Sequence, residues 1–124
     1  MTPREIGERL VELCRADDTK TCLQELYHQD AISVEAGSMP GSDTAETQGL
    51  SAIQGKHDWW ESAMEVHSAE VDGPYPHGND RFGVIFNIDC TTRETGERGQ
   101  FKEIAIYHVA DGKITREEFF YQTG

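Results

Sequence analysis

The segment FKEIAIYHV, Phe101 to Val109, carries a single carboxylate, Glu103, within an otherwise apolar alternation that includes the phenol Tyr107. Read as a β-strand, residues of one parity share a face. Glu103, Ala105, Tyr107 and Val109 then line one side. The preceding segment FGVIFNIDC supplies Phe82, Val84, Phe86 and Ile88 to the same side. A lone carboxyl among such neighbours is pushed toward its neutral form by burial. That tuning suits a general acid or base at neutral pH. The plainer alternative is a Glu103 paired with a buried arginine or a backbone amide. A second carboxylate, Glu35, ends the alternating run DAISVE beside a long polar stretch, a common place for catalytic side chains. Its plainer alternative is a solvated acid at a strand end.

Four further residue types fit the walls of a site around these acids. His57 and Trp60 fall on one helical stripe, Ile53, His57, Trp60 and Met64. His57 can titrate near neutrality, although a satisfied structural histidine is the commoner case. Trp60 suits a pocket wall. Tyr107 and Tyr121 can each offer a hydroxyl to a ligand, Glu117 shares their face by alternation, and Phe86 gives an aromatic wall. The other histidines, His28, His67, His77 and His108, lack the spacing of a metal site, so no metal is expected. No glycine-rich phosphate cradle or serine nucleophile elbow is present, and no cofactor is expected.

Composition narrows the partners. The 124 residues carry a formal charge of −12, which disfavours nucleic acid and anionic membrane surfaces. Three cysteines, Cys14, Cys22 and Cys90, show no paired motif, and a disulfide framework is not expected. Cys14 lies in a helical apolar pattern, where a buried free thiol is the default. The first twenty residues have no apolar core of a signal peptide, and no run is long enough to span a bilayer. A cytoplasmic protein of one domain, residues 1–124, is expected.

The elements that must position the acids follow from pattern. Thr2-Pro3-Arg4-Glu5 is a capping box opening a helix with the stripe Ile6, Leu10, Leu13 and Cys14. Leu23, Leu26 and Tyr27 mark a shorter second helix. DAISVE reads as a strand with Ile32 and Val34 on one face. Gly37 to Gly49 reads as a long polar loop, placed to gate a pocket. Ser51 to Gln54 reads as a second capping box starting helix three. Val66 to Val71 predicts a short strand that Gly73-Pro74-Tyr75-Pro76 ends or bends. From Arg81 onward a meander follows, turning at Glu94 to Glu97 and at Asp111-Gly112. The first turn would oppose Ile88 to Glu103, Phe86 to Ala105 and Val84 to Tyr107. The last strand, in VADGKITREEFFY, puts acids and aromatics on both faces. Such a strand must be covered on both sides.

This order, with LYHQDAISVE, GLSAIQG, ETGERGQF and VADGKITREEFFY, resembles the nuclear transport factor 2-like superfamily, closest to its SnoaL-like polyketide cyclase and ketosteroid isomerase-like branch. The resemblance implies a cystatin-like α+β cone: three N-terminal helices packed on a curved, mainly antiparallel sheet around an apolar pocket. It also implies a homodimer through the outer sheet face, which carries Ile85, Ile104, Ile106, His108 and Phe120. Compared with ketosteroid isomerase, Glu35 falls at the general-base position. The second acid's position falls at Ala105, two residues from Glu103, and the helix-one tyrosine position falls at Val11. The expected function is therefore a small-molecule pocket protein using Glu103 and Glu35 for acid–base chemistry of the isomerase, cyclase or hydrolase type. The alternatives are a non-catalytic binder of an apolar ligand and a dimeric association domain.

Overall fold

The computed structural model describes residues 1–38 and 41–123. Helix α1 (Pro3–Arg15) starts at the Thr2 capping box, where Thr2 Oγ1 accepts from the Glu5 amide at 3.2 Å and Glu5 Oε1 accepts from the Thr2 amide at 2.9 Å. Helix α2 (Thr19–Leu26) is capped by Asp18, which accepts from the Thr21 amide at 3.1 Å. Tyr27, placed by its spacing in this helix, is instead the first residue of strand β1 (Tyr27–Val34).

The polar stretch from Gly37 to Gly49 is not all loop. Its residues 39 and 40 lie outside the described residues. Glu46–Gln48 form strand β2, antiparallel to β1. Helix α3 (Leu50–Ala63) begins one residue before Ser51. Its N-cap is Gly49, at φ 89°, whose amide donates to the Ala31 carbonyl at 2.8 Å. The tie to β1 therefore sets where the helix starts, and Gly49 suits a left-handed backbone that other residues adopt at a cost.

Four long strands follow: β3 (Met64–His77), β4 (Arg81–Thr92), β5 (Arg98–Ala110) and β6 (Lys113–Phe120). Strand β3 runs straight past Pro74 and Pro76, with a register shift between Asp72 and Tyr75. It can do so because the sheet order is β2-β1-β6-β5-β4-β3, which leaves β3 at an edge, where missing amide donors are tolerated. Among the described residues only the β1–β6 pair is parallel.

The β4–β5 hairpin turns one residue earlier than its sequence suggests. Thr92 N donates to Glu97 O, and Gly96, at φ 75°, donates back to Thr92 O, each at 2.8 Å. Phe86 therefore opposes Glu103, Val84 opposes Ala105 and Phe82 opposes Tyr107. The expected pairing is off by two residues. Because two is the period of a strand, both faces keep their members. The Asp111-Gly112 turn has both residues at positive φ, as a two-residue hairpin requires.

The three helices pack on the curved six-stranded sheet as an α+β cone. Ile6, Leu10 and Val11 of α1, Leu23 and Leu26 of α2, and Ile53 of α3 meet Phe82, Val84, Ala105 and Ile114. Phe82 stacks on Tyr107 with centroids 5.0 Å apart. Arg15 closes α1 by donating from two nitrogens to the Val71 carbonyl, at 3.2 and 2.8 Å. The three cysteines are free thiols; Cys22 and Cys90 are buried, whereas Cys14 is only partly so. No helix among the described residues is long and apolar enough to cross a membrane.

Close packing of α1 on β3 hinges on Gly7. A Cβ there would lie 2.7 Å from Pro74 Cβ and 3.1 Å from the Phe82 ring. Alanine is the better helix former by about 1 kcal/mol, but overpacking costs about 1–3 kcal/mol, and a ring carbon cannot swing away. Gly7→Ala should lower the urea unfolding free energy by roughly 1–2 kcal/mol. A variant as stable as the parent would show that α1 shifts freely over β3.

Candidate active site

Strand register gathers polar groups on the concave face. Ser33 of β1 lies beside Glu117 of β6, Glu117 beside Tyr107 of β5, and Tyr107 beside Phe82 of β4. This makes one lateral row running from polar to apolar. The inward face of β1 is Ala31, Ser33 and, just past the strand, Glu35. Ala31 and Ser33 are fully buried, whereas Ile32 and Val34, which alternation marks as the apolar face, are only partly covered.

Glu35 is held from two sides. Lys56 of α3 donates to Glu35 Oε1 at 2.8 Å, and the Tyr121 hydroxyl donates to Glu35 Oε2 at 2.9 Å. Lys56 also donates to Ser33 Oγ, and its ammonium lies 5.0 Å from the centroid of the Phe119 ring. This is a nearly dry ion pair, with side-chain exposures of 10% for Lys56 and 15% for Glu35. Burial and the neighbouring Glu35 carboxylate push the Tyr121 hydroxyl up to about 12.

Glu103 differs in every respect. It faces Phe86 across the hairpin, and its carboxyl makes no hydrogen bond among the described residues. Burial, reinforced by the charges of Glu35 and Glu117 and opposed by Lys56, raises its pKa from 4.5 to about 8. Glu117 is buried outright, at 1% exposure. Its Oε2 accepts from the Tyr27 hydroxyl at 3.0 Å, while its Oε1 has no partner among the described residues. Burial raises it to about 7, with Lys56 and the Tyr27 hydroxyl pulling it back. The Tyr27 and Tyr107 hydroxyls are themselves pushed well above their ordinary range by burial and by Glu117. A neutral carboxyl donates a proton and an ionised one accepts it. The arrangement therefore offers both functions within one cluster.

Of the residues singled out in sequence, Glu35 and Tyr121 touch directly, Glu103 senses Glu35 electrostatically, and Phe86 flanks Glu103. Tyr107 lies beside Glu117. Trp60 joins through an aromatic chain: it is 6.0 Å from Phe101, which is 5.2 Å from Tyr121. His57 makes no side-chain bond to the acids, and burial and Lys56 lower its pKa. Lys56, Ser33, Tyr27 and Phe101 escaped the sequence reading. Lys56 lies three residues after Ile53 on the inward stripe of α3, which was the available signal. Among the described residues no three metal-ligating side chains are gathered to hold an ion.

The open space lies beside the acids rather than over them. A groove of about 350 Å³ is lined by Trp60, Met64, Cys90 and Phe101, with Arg98 and Gln100 among its polar walls. Trp60 and Phe101 belong both to this groove and to the aromatic chain that ends at Tyr121 and Glu35. A second groove of similar size, between α1 and Gly73-Pro74, is far from this chemistry.

A curved sheet wrapped on helices, with acids on its concave face, is the nuclear transport factor 2-like fold. The chain belongs to the SnoaL-like domain family, whose model matches residues 1–121. A candidate SnoaL-like polyketide cyclase, also labelled carbohydrate phosphatase, from Mesorhizobium loti is 37% identical; the match covers 98% of this chain and 100% of that one, with a TM-score of 0.90. A candidate isomerase from Bacillus subtilis is 18% identical over 98% of this chain and 90% of its own, with a TM-score of 0.77. A Mycobacterium tuberculosis protein in complex with estradiol-17β-hemisuccinate is 18% identical over 98% and 95%, with a TM-score of 0.75. The last two likenesses show the fold alone. No curated protein matches the sequence.

The raised acids also set how stability varies with pH. A carboxyl whose folded pKa lies above its ordinary value stabilises the fold while protonated, and that contribution is lost as pH climbs through the folded value. For Glu117 and Glu103 the window runs from about 4.5 up through about 7 and about 8. The melting temperature should therefore fall from pH about 4.5 to about 8 and level off above that. Glu117→Gln should recover on the order of 3 kcal/mol at the alkaline end, since burial raises this pKa from 4.5 to about 7 and each unit corresponds to about 1.4 kcal/mol. An equally steep fall in Glu117→Gln would show that Glu117 does not titrate in this range.

Proposed function

We propose that this chain is a cofactor-independent acid–base enzyme of the isomerase or cyclase type, acting on an apolar, ring-containing small molecule that bears a carbonyl. One observation carries the reading: a buried, ion-paired carboxylate, Glu35, sits in the same cluster as a partnerless carboxyl, Glu103, that keeps its proton to about pH 8. Two carboxyls in unlike environments can divide the work of proton transfer. Glu35 takes a proton from the carbon next to the carbonyl. Glu103 hydrogen-bonds to, or protonates, the carbonyl oxygen, so that an enol or enolate forms. The proton on Glu35 then returns to another carbon in an isomerisation; in a ring closure, the enol carbon instead bonds to a second carbonyl carbon of the same molecule, whose C=O π pair moves to its oxygen and takes the proton from Glu35. In either case the first carbonyl re-forms as its oxygen returns any proton taken from Glu103. Glu35 can serve although both its oxygens are engaged, because a carboxylate offers about four lone-pair positions and Lys56 and Tyr121 take two. Tyr107 and Tyr121 are available to bind the oxyanion, while Trp60, His57 and Phe86 line the approach of a flat substrate.

The alternative reading is a non-catalytic binder. It is favoured by the position of the groove, which lies against Trp60 and Phe101 rather than over the acids, and by the steroid ester in the Mycobacterium tuberculosis relative. Near-isosteric variants separate the two. On a substrate found by screening carbonyl-bearing polycycles, Glu103→Gln and Glu35→Gln should each lower turnover on the order of 10²-fold or more. The wild-type rate should fall as pH passes through about 8, where Glu103 loses its proton. Normal turnover in both variants would remove the two acids from the chemistry, whereas ligand binding with no turnover by the wild type would leave the binder.

The same reading takes the protein as a cytoplasmic homodimer joined through the outer sheet face. Ile104 and Phe120 are paired across β5 and β6, and are 44% and 52% exposed. An apolar patch of this kind on a sheet needs a cover, and a stable one buries at least about 1,000 Å². Sedimentation at micromolar concentration should give a dimer, and Phe120→Asp a monomer. A wild-type monomer would remove the dimer from the proposal.

A further inference from the structure

The acid cluster contains one cation, and neither the division of labour between Glu35 and Glu103 nor the family likeness accounts for it. We propose that Lys56 is the positioning residue of the site: the ammonium that anchors Glu35 and Ser33 from α3 and thereby sets which of the three carboxyls carries negative charge. The proposal rests on the acid–base reading and deepens it by naming what assigns the two roles.

Geometry carries the argument. Lys56 reaches the concave face from α3, which packs against β1, and bonds Ser33 of that strand and Glu35 just past its end. Ser33 is the lateral neighbour of Glu117. One nitrogen therefore sits against the row that holds Glu117 and against Glu35 itself. Its side chain is 10% exposed, so water screens it little, and the Phe119 ring closes one side of it. An ammonium this dry must be compensated, and Glu35 alone is within bonding distance to do so. Once Glu35 is committed to that pair, Glu103 and Glu117 have no cation bonded to them. Both are left to satisfy burial by keeping a proton, as their raised values reflect.

The same logic makes Glu117 a reporter that needs no substrate. The groups around it are Tyr27, Tyr107 and Cys22, all neutral below pH 8 in this setting, together with the charged or titrating Glu35, Glu103 and Lys56. Lys56 is the strongest of the charges acting on it and Glu35 opposes it more weakly. Removing the ammonium should therefore raise the Glu117 midpoint whether Glu35 stays charged or becomes neutral.

The experiment is a carboxyl-carbon NMR titration of the free protein. The Glu117 midpoint, at about 7 in the wild type, should move up by ~1 pH unit or more in Lys56→Met, as expected on losing a nearby opposite charge. It should stay near the wild-type value in Lys56→Arg. If the methionine variant does not fold, Lys56→Gln serves, since it keeps a donor to Ser33 and Glu35 without the charge. A Glu117 midpoint unmoved in the neutral variants would overturn the proposal, because a lysine that merely fills space would leave the titration alone. A failure of the acid–base reading shows elsewhere, as normal turnover by Glu35→Gln and Glu103→Gln with the Glu117 midpoint still moved.

Discussion

Three carboxyls face the helices of this small cone, and one ammonium faces them. Burying a carboxylate without a partner is costly enough that the group gives up its charge instead. One lysine can hold one carboxylate. The rest of the site follows from that shortage. Glu35 takes the lysine, and Glu103 and Glu117 take protons. The tyrosines nearest them become strongly held phenols, because each would otherwise add a further anion to a crowded dry space. The asymmetry needed for acid–base chemistry does not require three different residue types. It arises from three glutamates and the reach of one side chain.

That reach depends on features of the fold that look unremarkable by themselves. Gly49 fixes the start of α3 by binding the Ala31 carbonyl at a left-handed backbone angle. The start of the helix sets which residue, two turns on, points at β1. The parallel pairing of β1 with β6 brings Ser33 level with Glu117. A one-residue slip in either strand would turn its acid outward. Small changes far from the acids, in the loop before α3 or in the β1–β6 register, would therefore alter the arrangement of the cluster as surely as changing Glu35.

Much of this was legible in the sequence, and the parts that were not share a cause. The concave face of β4 and β5 could be read because its alternation is strict, and the misplaced turn did no harm because it moved the pairing by an even number. The strand β1 was harder. Ile32 and Val34 advertise an apolar face, yet the chain buries Ala31 and Ser33 and aims Glu35 inward. Alternation identifies the hydrophobic side of a strand, and here the more deeply buried side is the one with Ala31 and Ser33. Lys56 was missed for the same reason: a lysine on a helix is ordinarily solvated, and only tertiary structure shows it committed to a buried carboxylate. The long polar segment that hides β2 has the composition of a loop because β2 is a three-residue, largely exposed edge strand, too short to display a period.

The separation between groove and acids gives the aromatic chain its meaning. Trp60, Phe101 and Tyr121 run from open space to the hydroxyl that holds Glu35. Phe101 touches both neighbours, so a flat ring lodged against Trp60 is already in contact with the residue that packs on Tyr121. On the proposed reading, a ligand entering from the groove would pass Phe101 to bring a reacting carbon to Glu35, and would exclude the water that otherwise competes for the Glu103 proton. Excluding water strengthens the electrostatic contrast between the two acids. Binding energy gained at the groove is thus available to complete the dry environment in which those roles are assigned. On the same reading, a polar or very small molecule would not fill the groove, and so would leave water in place beside the acids.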